Sequence, residues 1–337
     1  MKFKLLTALI IALSFSSCHH VEDWGDTAQD NFDALWTIFD THYCFFEQKG
    51  VDWDSIYTVY QPRIKECETW FDFFDLCSDM VNELRDGHVN LTSAFNTSSY
   101  GKWWTDYPQN FDGRLIEQYY LKFDSNYRSG LTYKILEDSV AYLRYSSFSI
   151  SPGETTLDYA LYILSPAKGL IIDVRDNGGG SLDNVGMIVS RFIDHEILAG
   201  YITHKTGPGH NDFSEPYAYY YEPAPNPRIH WEKPVVVLTN RSTFSAANNF
   251  VSIMRLLPQV TTIGDRTGGG SGIPFYSEIP VGWGVRFSAS PVYDAEMHLT
   301  EEGLPPDIHV DLDPEAALQG HDTILDKAID YLLQTAN

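Results

Sequence analysis

Pro234–Gly272 reads PVVVLTNRSTFSAANNFVSIMRLLPQVTTIGDRTGGGSG. Val235 to Leu238 form a continuous apolar run rich in β-branched residues, the composition of a strand buried on both faces of a sheet. The polar turn Thr239–Thr243 ends that run. From Phe244 onward apolar residues recur at helical spacing, with Phe250, Met254 and Leu257 near one face. A strand, a tight turn and a helix therefore meet at Ser245. Such a junction lifts a hydroxyl out beside a helix N-terminus, whose unpaired amides suit a developing oxyanion. The common role for Ser242, Thr243 or Ser245 here is to cap the helix, since hydroxyl caps far outnumber nucleophiles. Ser245 is the candidate nucleophile.

Outward from this junction the chain repeats the strand-then-helix pattern. The apolar strand Gly169–Val174 leads into RDNGGGSLDN (175–184) and a helix from about Asn184 to Ile193. Three successive glycines there permit positive φ and close backbone approach, without the Gly-Lys-Ser/Thr of a Walker loop. They serve either as a tight turn or as amides for an oxyanion hole. Leu131–Phe148 reads as a hairpin turning at Glu137-Asp138, with Tyr142–Phe148 a strand whose edge could pair with an extended peptide. Residues 207–227, rich in Pro, Tyr and Gly, read as a long surface loop. Val260–Ile263 and Val285–Ser290 read as further strands, and Asp322–Leu333 as a closing amphipathic helix. The sum is an α/β layer architecture.

The N-terminal part differs. Residues 31–90 carry helical aromatic patterns, with Phe32, Leu35, Trp36 and Phe39 in one stretch and Trp70, Phe73, Phe74 and Met80 in another. They end at LRDGHVNL (84–91), where Asp86-Gly87 is a turn signal and His88 sits between helix and strand. Taken alone, one of eleven histidines is more often structural than chemical. Residues 91–130 read as short strands and loops, and 131–337 as the main core.

The first 18 residues, MKFKLLTALIIALSFSSC, have two lysines, an apolar segment and small residues before Cys18. This is the pattern of a secretory signal, too short to span a bilayer, and its end resembles a bacterial lipobox with Cys18 the acylated residue. Residues 19–30 then read as a polar tether to the membrane. Cys44, Cys67 and Cys77 remain, an odd number that cannot all pair. No metal-ligand spacing appears, and no cofactor is expected. The 46 acidic against 23 basic residues, a net charge of −23 without a basic cluster, exclude nucleic acid and anionic lipid as partners.

GLIIDVRDNGGG, PVVVLTNRSTFSAANNF, IGDRTGGGSG and EEGLPPDI, in this order, resemble the successive blocks of the C-terminal processing (tail-specific) serine peptidases. The helical segment with DGHVNL resembles the tricorn-like branch. The resemblance implies a ClpP/crotonase-like α/β core with an N-terminal helical subdomain, a polypeptide substrate and hydrolysis by acyl transfer. It places the nucleophile at Ser245 and the oxyanion hole at Ala246 with a glycine of Gly178 to Gly180, Gly179 preferred. Tail-specific members carry a Lys base in a TFGKG loop. Here that loop is Thr267-Gly268-Gly269-Gly270-Ser271, so the branch with a His base applies and points to His88, oriented by Glu301 or Glu302, with Glu301 preferred. Gly87 stands where some members carry a second orienting Ser. About fifty residues between His88 and Tyr142 leave no room for the PDZ domain of many members. The competing expectation is a catalytically inactive protein on the same fold that binds peptides or apolar ligands.

Overall fold

The computed structural model of the chain describes residues 24–335, so the signal segment, Cys18 and residues 19–23 of the tether lie outside the described residues. Helix α1 (Ala28–His42) begins within the stretch read as tether, because Thr27 and Asp30 form a capping box that pairs two otherwise open amides. The same device, Thr69 with Asp72, starts α3 (Trp70–Asn82), while Asp52 caps α2 (Trp53–Tyr60). Strands β1 (Asn90–Thr92), β2 (Thr97–Ser99), β3 (Asn126–Arg128), β4 (Leu131–Ile135) and β5 (Ala141–Tyr145) follow. Next come α4 (Glu154–Leu164), β6 (Leu170–Asp173), α5 (Leu182–Val189), β7 (Ile197–Ile202) and β8 (Tyr217–Tyr221). The C-terminal part holds β9 (Val235–Thr239), α6 (Ala246–Met254), β10 (Val260–Gly264), β11 (Gly272–Ile279), β12 (Trp283–Tyr293), β13 (Ile308–His309) and α7 (Thr323–Thr335).

The larger sheet runs β13-β10-β9-β6-β5-β4-β3, parallel from β13 to β5 and antiparallel beyond. β9 lies inside it and alternates strictly. Val235 and Val237 join the core under α4, α5 and α6, and Val236 and Leu238 join the core under α7. This is why its sequence shows no polar face. Burying each such side chain contributes roughly 1.5–3 kcal/mol. At the C-terminal end of β6, buried Arg175 bonds Asp173 at 2.7 Å and Asp322, just before α7, at 2.9 Å. That anchors the start of the glycine loop 178–180. β5 is paired on both sides, by β4 and β6, so it has no free edge for a peptide and the edge-pairing expectation is not met.

A second sheet, β2-β1-β12-β7-β8 with β11 on the other side of β12, is absent from the sequence reading. Residues 207–227 are not all loop, for β8 pairs β7 there. The glycine loop 268–270 leads into β11, which turns at Gly282 (φ 82°) and returns as β12. β1 pairs β12 through Asn90↔Arg286 and Leu91↔Val285. Phe32, Phe39, Phe73 and Phe74 pack with Trp283, Val285 and Phe287 in one core. The N-terminal helices thus share a core with β12 across residue 90.

Candidate active site

β9 ends in a turn tied by two bonds between Asn240 and Thr243, and the Thr243 hydroxyl donates to the Val174 carbonyl at 2.9 Å. The Phe244 amide then donates to Asn177 O at 3.0 Å and the Ser245 amide to Gly269 O at 2.8 Å. Both glycine loops thus grip the residues around Ser245. They hold it at φ 58°, ψ −122°, a strained conformation for a residue with a side chain and one that persists only under such restraint. Ser245 occupies the N-cap position of α6, yet its hydroxyl makes no cap bond. The capping role is excluded, and the hydroxyl is free to face elsewhere.

It faces His88. Ser245 Oγ lies 2.9 Å from His88 Nε2, joining residues 157 apart in sequence. After α3 the chain turns at Arg85 (φ 50°), and the Asp86 carboxylate accepts the His88 amide at 2.7 Å. β1 then docks on β12, where Arg286 donates to His88 O at 3.3 Å and to the Asn90 side chain at 3.1 Å. The imidazole packs against the Phe244 ring at a tilt of 54°, with centroids 4.7 Å apart, and is buried. Burial pushes its pKa down to about 4 against the upward pull of Asp86, with Arg286 and Lys49 adding to the fall. The ring is therefore neutral at pH 7, the form in which a ring nitrogen accepts a proton.

Glu301 does not orient this ring. Its carboxylate bonds Lys49 Nζ at 2.8 Å and the Ser271 amide at 2.8 Å, buried behind the site. Burial and the Asp86 charge push it up to about 8, with Lys49 opposing. Glu302 has an exposed side chain and lies 3.6 Å from Lys49 Nζ. Among the described residues, the group that meets His88 Nδ1 within hydrogen-bond distance is Ser288 Oγ on β12, at 3.4 Å. The sequence reading missed Ser288, because nothing local distinguishes it in a strand. Asp86 was legible as part of the turn, but its bond to the His88 amide was not foreseen.

The glycines beside Ser245 differ in what their amides meet. Gly179 (φ 94°) comes so close that an added Cβ would sit 2.8 Å from Ala246 N and 2.8 Å from Ser245 Cβ, so glycine is required there. Its own amide, however, donates to Asn177 Oδ1 at 3.0 Å. Gly180 instead lines the cavity in front of Ser245, together with Ala246, Leu182, Ile273 and Val292. Among the described residues no acceptor takes the amides of Gly180 or Ala246. A hydroxyl beside a neutral imidazole, with two open amides next to it, is equipped for attack on a carbonyl.

Comparison with known proteins follows the same lines. Residues 139–310 match the model of peptidase family S41, and residues 26–82 match the tricorn protease C1 domain. A solved structure from Parabacteroides merdae, described as a candidate peptidase, is 48% identical with a TM-score of 0.87, covering 92% of this chain and 98% of that one. A candidate tricorn-like protease C-terminal subunit of Sulfurisphaera tokodaii is 28% identical over 170 residues, half of this chain but only 18% of that protein's length. Mature CPAF, at 13% identity and a TM-score of 0.70 over 92% of this chain and 98% of its own, shares the fold. With the α/β layers, the helical N-terminal region and the family match all coinciding on one chain, the protein belongs to peptidase family S41.

Proposed function

We propose that this S41 peptidase is a serine-type endopeptidase that cleaves polypeptides by acyl transfer outside the cytoplasm. The approach of Ser245 Oγ to His88 Nε2, 2.9 Å, carries the reading. Ser245 attacks the substrate carbonyl carbon while its proton passes to His88 Nε2. The amides of Ala246 and Gly180 receive the oxyanion. The tetrahedral species collapses, the scissile C–N bond breaks, and the imidazolium returns the proton to the leaving amine. Water then attacks the acyl-enzyme, the same imidazole taking its proton; the acyl C–Oγ bond breaks, the imidazolium returns the proton to Ser245 Oγ, and the carboxylic acid product leaves. Glu301 acts behind the site through Lys49 and Ser271 and has no direct part in proton transfer.

The test is a fluorophosphonate probe on the folded protein beside a hydrolysis assay with an unstructured protein substrate. Labelling at Ser245, lost together with hydrolysis in Ser245→Ala, is the expected result. A folded protein that neither labels nor hydrolyses would establish the binding-protein alternative instead. The location rests on residues 1–18 alone: charged start, apolar middle and small residues before Cys18 support export with a lipid anchor at the bacterial cell envelope.

A further inference from the structure

A neutral imidazole carries one ring proton, and to accept from Ser245 at Nε2 that proton must be on Nδ1. A buried N–H without an acceptor is unfavourable, so what stands at Nδ1 decides which tautomer the ring adopts. Among the described residues no carboxylate hydrogen-bonds Nδ1: Asp86 bonds the His88 amide and Tyr43 (3.1 Å), and Glu301 bonds Lys49 and the Ser271 amide. The group present is Ser288 Oγ, 3.4 Å away and fully buried.

Ser288 is placed for this by two independent features. Its carbonyl accepts the Cys44 amide at 3.1 Å, fixing β12 against the N-terminal helices. Close beside its side chain lies Gly272 on β11, where an added Cβ would lie 2.3 Å from Ser288 Cβ and 2.6 Å from its Oγ. The glycine leaves the space in which the hydroxyl sits. Gly87, two residues before Val89, would have an added Cβ 2.5 Å from Trp103 Nε1, so that position has no room for a side chain beside the ring.

We infer that Ser288 is a positioning residue, its hydroxyl accepting from His88 Nδ1–H and so keeping Nε2 unprotonated toward Ser245. The inference deepens the proposed mechanism and rests on it for the consequence in catalysis, but the tautomer itself is observable without any substrate. Ser288 replaces, from a distant strand, the orienting carboxylate that the sequence suggested.

The experiment is 15N NMR of the histidine-labelled protein at pH 7, with the His88 resonances assigned by their loss in His88→Gln. Wild type should show a protonated, pyrrole-type Nδ1 and a pyridine-type Nε2. In Ser288→Ala the proton should move to Nε2, wholly or in part, and kcat should fall about ten- to hundred-fold at unchanged KM, the worth of one hydrogen bond to a group that becomes charged. A pyridine-type Nδ1 in wild type, or an unchanged pattern in Ser288→Ala, overturns the inference whatever happens to kcat. A correct tautomer in a wild-type protein that hydrolyses nothing would instead refute the peptidase mechanism and leave the positioning contact standing.

Discussion

Lowering the pH tests the environment of His88 directly. An exposed histidine titrates near 6.5, whereas burial brings His88 to about 4. Its folded pKa is depressed, so the folded state holds fewer protons than the unfolded chain between those values. Stability is then lost as pH falls through 6.5 toward 4, by about 3 kcal/mol at pH 4 from this group alone. The group is buried, so solvent screening does not reduce the figure. Other carboxylates and histidines also titrate in this range, and comparison with His88→Gln removes them. Urea unfolding at pH 7 and pH 4 should show wild type losing about 3 kcal/mol more than the variant. The same shift predicts that kcat/KM holds constant from pH 7 to about 5, with the acid limb near pH 4. An acid limb at pH 6.5, with equal losses of stability in the two proteins, would refute the buried neutral ring.

Lys49→Met leaves the Glu301 carboxylate without its cation and pushes an already raised carboxyl higher. Because the folded pKa then lies further above the unfolded one, the variant's extra deficit should be small at pH 6, where the carboxyl is protonated in both proteins, and grow to about 1 kcal/mol at pH 9. Urea midpoints at the two pH values measure it, and a deficit independent of pH would contradict the pairing. Cys18→Ala should move the expressed full chain from the detergent phase to the aqueous phase in detergent partitioning, and equal partitioning of both would remove the lipid anchor.

The β9-turn-α6 junction was readable because everything that defines it is local. A both-faces-buried strand must be apolar throughout, a helix must begin with open amides, and a loop that touches its neighbours' backbone must be glycine. The larger sheet followed from the same signals repeated along the chain. The second sheet did not, since β7, β8 and β11 are half-exposed strands rich in Tyr, Gly and Pro whose partners lie far away in sequence. His88 became a candidate through family resemblance, and its partners were misassigned because a short motif fixes a backbone turn and not what the ring meets.

What the sequence determined by itself is the strand-turn-helix that raises Ser245, the glycine loops beside it and the turn that carries His88. The tertiary structure alone decided that Ser288 rather than Glu301 stands at Nδ1, that Gly180 rather than Gly179 faces the cavity, and that Ser245 does not cap its helix. The reason is register. Once Asn90 pairs with Arg286, the alternation of side chains along β12 sets which of them faces the imidazole, and a shift of one residue would turn Ser288 to the other face of the sheet.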